Sequence, residues 1–440
     1  MSYQSYGQPY GQPPPPQGYG SYPPAPPPPH GGQYPPHGQY PPQQGGYYQQ
    51  QPPPPPPGQY PSSQPPYGHH PPPPGQYGAP PPQQYGHHSP APPPPPPPQQ
   101  YGAPYGAPPP QQYGPPVPPT PPSLGYGAPQ IIQWDGYPDA QALRGAMKGF
   151  GTNEKTLIQV LANKDPLQIE VLRNSFDHSF KRSLVKDLKS ETSGWFEKGL
   201  VQLARGPLLA DVHELYEAMA GPGTKEVVLN DILLSRSNAD MKAIKSAYQQ
   251  TFRKSLENDV KGELSMKTER HFLMVLAANR AEEAAPVIPQ QVDDDVLQLY
   301  KATEGRMGTD ELLVCSILTQ RNDNQIRAIA HAYKQRFNRD LEKVVKSEFS
   351  GHMQDALLFQ LRNAVDKYMH AATLLEASMA GLGTKDHLLV ARVVRYHWDR
   401  TTLANVKGAY QQKYGRSLAS RIKGETSGDY GRLMLACVGE

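Results

Sequence analysis

The sequence predicts an all-α protein made of four copies of one helical unit, preceded by a long tail without a core. Three observations predict it. A glycine-threonine loop recurs four times. Apolar residues between the loops recur at three- and four-residue steps, without sustained alternation of strand type. All the charge lies after residue 130.

The tail comes first. Residues 1–130 contain no Lys, Arg, Asp or Glu, and hold 50 of the 56 prolines and 17 of the 27 tyrosines. So little aliphatic surface cannot offset the entropy of ordering, and the stretch is expected to be disordered. The runs Pro52–Pro57 and Pro92–Pro98 suit polyproline II. Tyrosines spaced by Gly, Gln and Pro suit self-association, and the proline runs suit docking into a protein groove. Neither Pro-Pro-x-Tyr nor a basic anchor is present for the commonest such grooves. The pairs His69-His70 and His87-His88 read as solvated histidines, not metal ligands.

The folded part carries a net charge of only +3, which argues against nucleic acid as a partner. Two cysteines, Cys315 and Cys437, imply no disulfide framework and fit a reducing, cytoplasmic compartment. No signal peptide is expected, and no apolar run approaches the ~20 residues that span a bilayer. Membrane association is therefore expected to be peripheral.

The loops are Met147–Thr152, Met219–Thr224, Glu304–Thr309 and Met379–Thr384, and each ends in Gly-Thr. Each threonine is expected to cap the next helix, and an acid follows two residues later: Glu154, Glu226, Glu311 and Asp386. A later Lys-Ser/Gly-Glu turn places Glu191, Glu263, Glu348 and Glu425 beside the loops. From the last loop glycine, the first three glutamates lie 40 residues on (191−151, 263−223, 348−308) and the fourth 42 (425−383). The extra two residues are expected around Tyr396–Asp399, and a proline-marked linker, Ala284–Val292, parts the second and third units. Within the second unit Leu215, Met219, Val228, Ile232, Ile244, Tyr248, Leu256, Val260 and Phe272 follow helical spacing, so about five short helices per unit are expected. Cys315, in an apolar run, and Trp134 and Trp195 read as packing residues.

A tight loop that turns carbonyls outward, with one remote carboxylate, suits a hard cation such as calcium. Glycine permits the turn because positive φ costs it nothing. The tips Phe150, Pro222, Met307 and Leu382 are all apolar and fit entry into a headgroup boundary.

Residues 138–440 resemble the annexins. Gly223-Thr224, Leu233, Arg236, Asp240, Tyr248, Leu256, Val260, Phe272 and Val275 follow that family's repeat step by step. The resemblance implies four repeats, 138–206, 210–280, 293–365 and 369–440, in a curved array. The first repeat departs with Lys164 where the Arg stands, and in the fourth that Arg is either Arg392 or Arg395. Arg236 and Arg321 are expected to pair internally. The resemblance implies three carbonyls and one bidentate carboxylate per calcium. These are Met147, Gly149, Gly151 and Glu191; Met219, Gly221, Gly223 and Glu263; Arg306, Gly308 and Glu348, with a carbonyl from Thr303 or Glu304; and Met379, Gly381, Gly383 and Glu425.

The expected function is calcium-dependent binding to anionic, phosphatidylserine-like membranes, in membrane organisation, vesicle aggregation or trafficking. The alternative is a tail-driven scaffold or condensate-forming adaptor linking membranes to protein partners. Ion conduction through the four-unit ring is a further possibility that the resemblance raises. No nucleotide loop, zinc-protease motif or nucleophile elbow occurs, so an enzyme is not expected.

Overall fold

The computed structural model describes residues 117–305 and 307–440. These residues form nineteen helices and no strand. The first repeat comprises α1 (Tyr137–Ala146), α2 (Glu154–Leu161), α3 (Pro166–Phe180), α4 (Leu184–Glu191) and the first half of α5 (Gly194–Met219). At Gly206 φ is 71° and ψ 173°, and Pro207 follows, so α5 is two helices joined at a break. Its second half opens the second repeat, completed by α6 (Glu226–Leu233), α7 (Asn238–Phe252), α8 (Leu256–Glu263) and α9 (Met266–Leu276). The third repeat holds α10 (Pro289–Ala302), α11 (Glu311–Gln320), α12 (Asp323–Phe337), α13 (Leu341–Glu348) and α14 (Gly351–Val365). The fourth holds α15 (Lys367–Met379), α16 (Asp386–His397), α17 (Arg400–Tyr414), α18 (Leu418–Glu425) and α19 (Gly428–Cys437). Each repeat thus has the five helices expected.

Local chemistry sets these boundaries. The third helix of each repeat starts on Asp165, Ser237, Asn322 or Asp399, whose side chain accepts an N–H from the first turn. Its inward face carries Phe176, Tyr248, Tyr333 or Tyr410, all fully buried. The tyrosine hydroxyls reach out of the core to Asp259, Glu304 and Glu376. The first and fourth repeats share one apolar core, while the second and third each have their own. Cys315 lies in the third, where burial pushes its thiol up to about 12. Trp195 is 40% exposed, only partly the packing residue expected. No helix among the described residues is long and apolar enough to cross a membrane.

An ion pair ties the end of the second helix to the first in three repeats: Lys164–Asp139 at 2.6 Å, Arg236–Asp211, and Arg321–Asp295 at 2.6 Å. In the fourth repeat neither Arg392 nor Arg395 plays this part. Trp398 precedes the N-cap there and Ala371 stands where the partner Asp would be. Both arginines reach the second repeat instead: Arg392 pairs with Asp231 at 2.7 Å, and Arg395 with Asp211 at 3.1 Å. The two-residue insertion falls in α16, which has twelve residues against eight in α2 and α6 and ten in α11.

The expectation of a disordered tail falls mostly on residues 1–116, outside the described residues. For residues 117–127 it is corrected. Thr120 N–H donates to Glu282 at 2.8 Å, Ser123 donates through N–H and hydroxyl to Asp240 at 2.7 Å, and Tyr126 hydroxyl donates to Asp211 at 2.7 Å. Tyr126 is 7% exposed, with Arg236 over its ring. Composition misled here because the core supplies the carboxylates that the segment lacks. The strap borders a cleft of roughly 410 Å³ lined also by Asp211, Arg236, Arg395 and Trp398.

Candidate metal-binding loops

Each loop links the first helix of a repeat to the second. It closes with one bond: the N–H of Asn153, Lys225, Asp310 or Lys385 donates to the carbonyl of Ala146, Ala218, Ala302 or Ser378, at 2.7–2.9 Å. Between these points the backbone turns left-handed twice in the first, second and fourth loops, and at Gly308 in the third. Gly149, Gly221 and Gly381 have φ of 111°, 103° and 106°; Gly151, Gly223, Gly308 and Gly383 have 78–81°. A Cβ on any of these would meet open space, so backbone conformation and not crowding requires glycine here. Arg306 lies outside the described residues.

Met147, Met219 and Met379 end the first helices with side chains in the core, 3%, 8% and 1% exposed. Each therefore has two uses: the thioether packs inward while the carbonyl belongs to the loop. In the third repeat Thr303, 4% exposed, follows the closing Ala302 and takes that place, so this loop is one residue longer. Glu304 instead carries a carboxylate that accepts from Tyr333 at 2.8 Å and from Arg339. The tips Phe150, Met307 and Leu382 are 113%, 99% and 109% exposed, and Pro222 is exposed as well.

The distal glutamates Glu191, Glu263, Glu348 and Glu425 are the last residues of α4, α8, α13 and α18. The structure brings each to its loop through the loop threonine. Thr224, Thr309 and Thr384 hydroxyls donate to the carboxylates of Glu263, Glu348 and Glu425 at 2.7, 2.6 and 2.8 Å. Thr152 reaches the main-chain carbonyl of Glu191 at 3.1 Å. The threonines are therefore not the helix caps expected from sequence. The residue after each one is the N-cap, with side-chain bonds from Asn153 and Asp310, and the threonine hydroxyl is left free to fix the glutamate. The acids Glu154, Glu226, Glu311 and Asp386 do stand in the first turns.

Three side chains near these loops escaped sequence reasoning. Arg339 meets Glu304 and Ser347 beside the third loop. Met266, three residues after Glu263, is 83% exposed with φ 51°, where Gly194, Gly351 and Gly428 stand in the other repeats. Arg421 donates to both the Glu425 carboxylate and the Met379 carbonyl. Together with Thr384, which contributes most, it holds the Glu425 carboxyl below the usual range. Two of the three were legible as breaks in the repeat: Met266 for Gly, and Arg421 where Asp187, Asp259 and Val344 stand.

The donor set is one carboxylate with backbone carbonyls. Among the described residues no cluster of three or more His, Cys, Asp or Glu side chains occurs, so a cation at these loops would be held mainly by neutral oxygens. Such hard, oxygen-only donors fit calcium. The fourth loop carries a direct test of fit, since one guanidinium already spans its carbonyl and its carboxylate.

A family model described as Annexin matches residues 138–203, 210–275, 295–359 and 369–437. The chain is 41% identical over 311 residues to annexin C1 of Cryptococcus neoformans var. grubii, covering 70% of this chain and 66% of that protein. It is 39% identical over 307 residues to human annexin A7, covering 70% of this chain and 62% of that one. The matched part thus spans about two thirds of the length of these relatives. A crystal structure of calcium-bound annexin (Sm)1 superposes with a TM-score of 0.61 at 30% identity, over 72% of this chain and 92% of that one.

Proposed function

We propose, since this chain belongs to the annexin family, that it binds calcium at its four loops and docks through them on anionic phospholipid membranes. The observation that carries this reading is the contact between loop threonine and remote glutamate, repeated in four repeats. The chain thereby brings a glutamate from 39–41 residues away to loops in which Gly149, Gly151, Gly221, Gly223, Gly308, Gly381 and Gly383 are left-handed. In this reading the ligands are the carbonyls of Met147, Gly149 and Gly151 with Glu191; of Met219, Gly221 and Gly223 with Glu263; of Arg306 and Gly308 with Glu348; and of Met379, Gly381 and Gly383 with Glu425. Thr303 supplies the outermost carbonyl of the third loop. One carboxylate balances half of a divalent charge, so bound calcium keeps the positive charge and open positions that a lipid phosphate takes.

The chain's own residues do the rest. Thr224, Thr309 and Thr384 fix the carboxylates and Thr152 the main chain of Glu191, and the exposed lysines Lys189, Lys261, Lys346 and Lys423 lie two residues from these glutamates, adding attraction to an anionic surface. Exposed tips at Phe150, Pro222, Met307 and Leu382 enter the headgroup boundary, each contributing roughly 25 cal/mol per Å² buried. The protein is peripheral and cytoplasmic, joining membranes when calcium rises, and organises them without catalysis. The uncharged, tyrosine-rich tail contributes self-association or protein docking, and so vesicle clustering.

Pelleting with phosphatidylserine vesicles tests this. Calcium should bring the chain down and chelator release it, with little binding to zwitterionic vesicles. Glu263→Gln should weaken binding in part, and combined Glu191, Glu263 and Glu425 changes far more, since the contacts act together. A triple variant with unchanged calcium dependence would refute the ligand assignment.

A further inference from the structure

The fourth loop differs from its siblings at one residue. Four positions before the glutamate stand Asp187, Asp259 and Val344, then Arg421. Asp187 accepts from Arg182 at 2.7 Å, Asp259 accepts the Tyr248 hydroxyl at 2.6 Å, and Val344 is fully buried. None of these three side chains is a cation. Arg421 is, and it turns into the loop. Its guanidinium donates to the Glu425 carboxylate and to the Met379 carbonyl, while its Nε lies 3.4 Å from Glu376. The side chain is 14% exposed, so it is packed in this position.

We propose that Arg421 is a resident cation that competes with calcium for the fourth loop, so that this loop engages at higher calcium than the other three. The inference rests on the reading of Met379 and Glu425 as calcium ligands. Both oxygens are already bonded to the guanidinium, and two cations cannot share the same lone pairs. Arg421 must give up two charge-assisted hydrogen bonds before the loop is free. Proton loss cannot release it, since a guanidinium stays charged. A second berth is at hand. Glu376 in α15 touches Arg421 Nε and takes Arg416 at 3.3 Å and the Tyr410 hydroxyl. Retreat toward Glu376 exchanges one carboxylate for another, so the competition is finite and calcium can win it. A chain with one reluctant loop responds to calcium in two stages, three loops first and the fourth later.

The test uses the full-length chain carrying Glu191→Gln, Glu263→Gln and Glu348→Gln, which leaves the fourth loop alone. Calcium chloride is titrated by calorimetry and by pelleting with phosphatidylserine vesicles. Arg421→Val, the aliphatic residue of the third repeat, should lower the calcium midpoint roughly tenfold, about the worth of one charge-assisted hydrogen bond. Glu376→Gln keeps an acceptor for Tyr410 but removes the charge that receives Arg421, so it should raise the midpoint. Adding Glu425→Gln should abolish the response, which assigns the midpoint to this loop. If the response is present and lost with Glu425→Gln, yet neither Arg421→Val nor Glu376→Gln moves it, competition is overturned while the ligand reading stands. If the parent shows no calcium response at all, the ligand reading fails and the proposal with it. Melting in chelator checks the fold; should Arg421→Val not fold, Arg421→Gln and Glu376→Gln decide the outcome on the same criterion.

Discussion

Replacing Met266 with glycine should stabilise the fold and loosen its hold on lipid at the same time. Met266 sits at φ 51°, where the other three repeats place Gly194, Gly351 and Gly428 at 57–63°. A side-chain-bearing residue in this region costs about 1–2 kcal/mol. Glycine's greater freedom in the unfolded chain returns roughly 0.5–1 kcal/mol of that. The side chain is 83% exposed, so removing it leaves no cavity. The net gain is about 0.5–1 kcal/mol, a melting-temperature rise of roughly 1–3 °C for a core of this size. The lipid side runs the other way. Full burial of a methionine is worth about 1.5–3 kcal/mol, and burial at a headgroup boundary roughly a third to a half of that, or about a fivefold loss of vesicle affinity on removal. Calorimetric melting in chelator reads the first effect, and phosphatidylserine titration at saturating calcium the second. Met266→Ala separates them, because it keeps the backbone strain and loses the side chain. A lower melting temperature for Met266→Gly refutes the strain argument. An unchanged vesicle midpoint removes Met266 from the lipid contact.

Arg392→Met should cost about 3–5 kcal/mol in urea unfolding, because it strands buried Asp231, and adding Asp231→Asn should restore most of it; a cost under about 1 kcal/mol would show that the pair does not fasten the fourth repeat to the second. His271 is fully buried and burial holds its pKa down to about 4, below the ordinary value of about 6.5. The unfolded chain therefore binds more protons between those values, so stability should fall as pH drops through that window, by about 1.4 kcal/mol per pH unit from this group. His271→Leu should flatten the change in urea midpoint between about pH 7 and about pH 5; an unaltered slope would show that His271 does not set it. A chain beginning at residue 117 should melt like the whole protein, whereas one beginning at 131 should lose about 2 kcal/mol with Thr120, Ser123 and Tyr126. Both should still pellet with vesicles in calcium and cluster them less, read as turbidity; clustering equal to that of the whole chain would remove self-association from the tail's role.

The repeat was legible because its signals are local or periodic. The shared Gly-Thr is written in the chain at each loop, and the helical faces must carry apolar residues at helical spacing. What sequence reasoning missed depends on contacts across the fold. The loop threonine reads as a cap in isolation; only the approach of α8 to its loop reveals that Thr224 bonds Glu263. The fourth-repeat arginine could not be chosen between Arg392 and Arg395 because their partners, Asp231 and Asp211, lie in the second repeat. The end of the tail was misplaced because composition counts what a segment can bury by itself. Residues 117–127 bury little, but Asp240, Asp211 and Glu282 bond them from the core.

The same geometry explains how these loops carry different side chains on a similar turn. Each candidate site joins the end of a repeat's first helix to the end of its fourth, so the whole repeat must fold before the donors meet. The backbone carbonyls are supplied by the turn whatever side chains stand there, which frees the methionines for the core and the tips for solvent. Side chains around the glutamate are then one local means of making one loop differ from another. The second repeat places an exposed methionine there, the third an arginine that occupies Glu304, and the fourth an arginine that reaches the Glu425 carboxylate and the Met379 carbonyl. The third and fourth loops in this way differ electrostatically from the first two. The chain's response to calcium should accordingly spread over a wider concentration range than four equal sites would give.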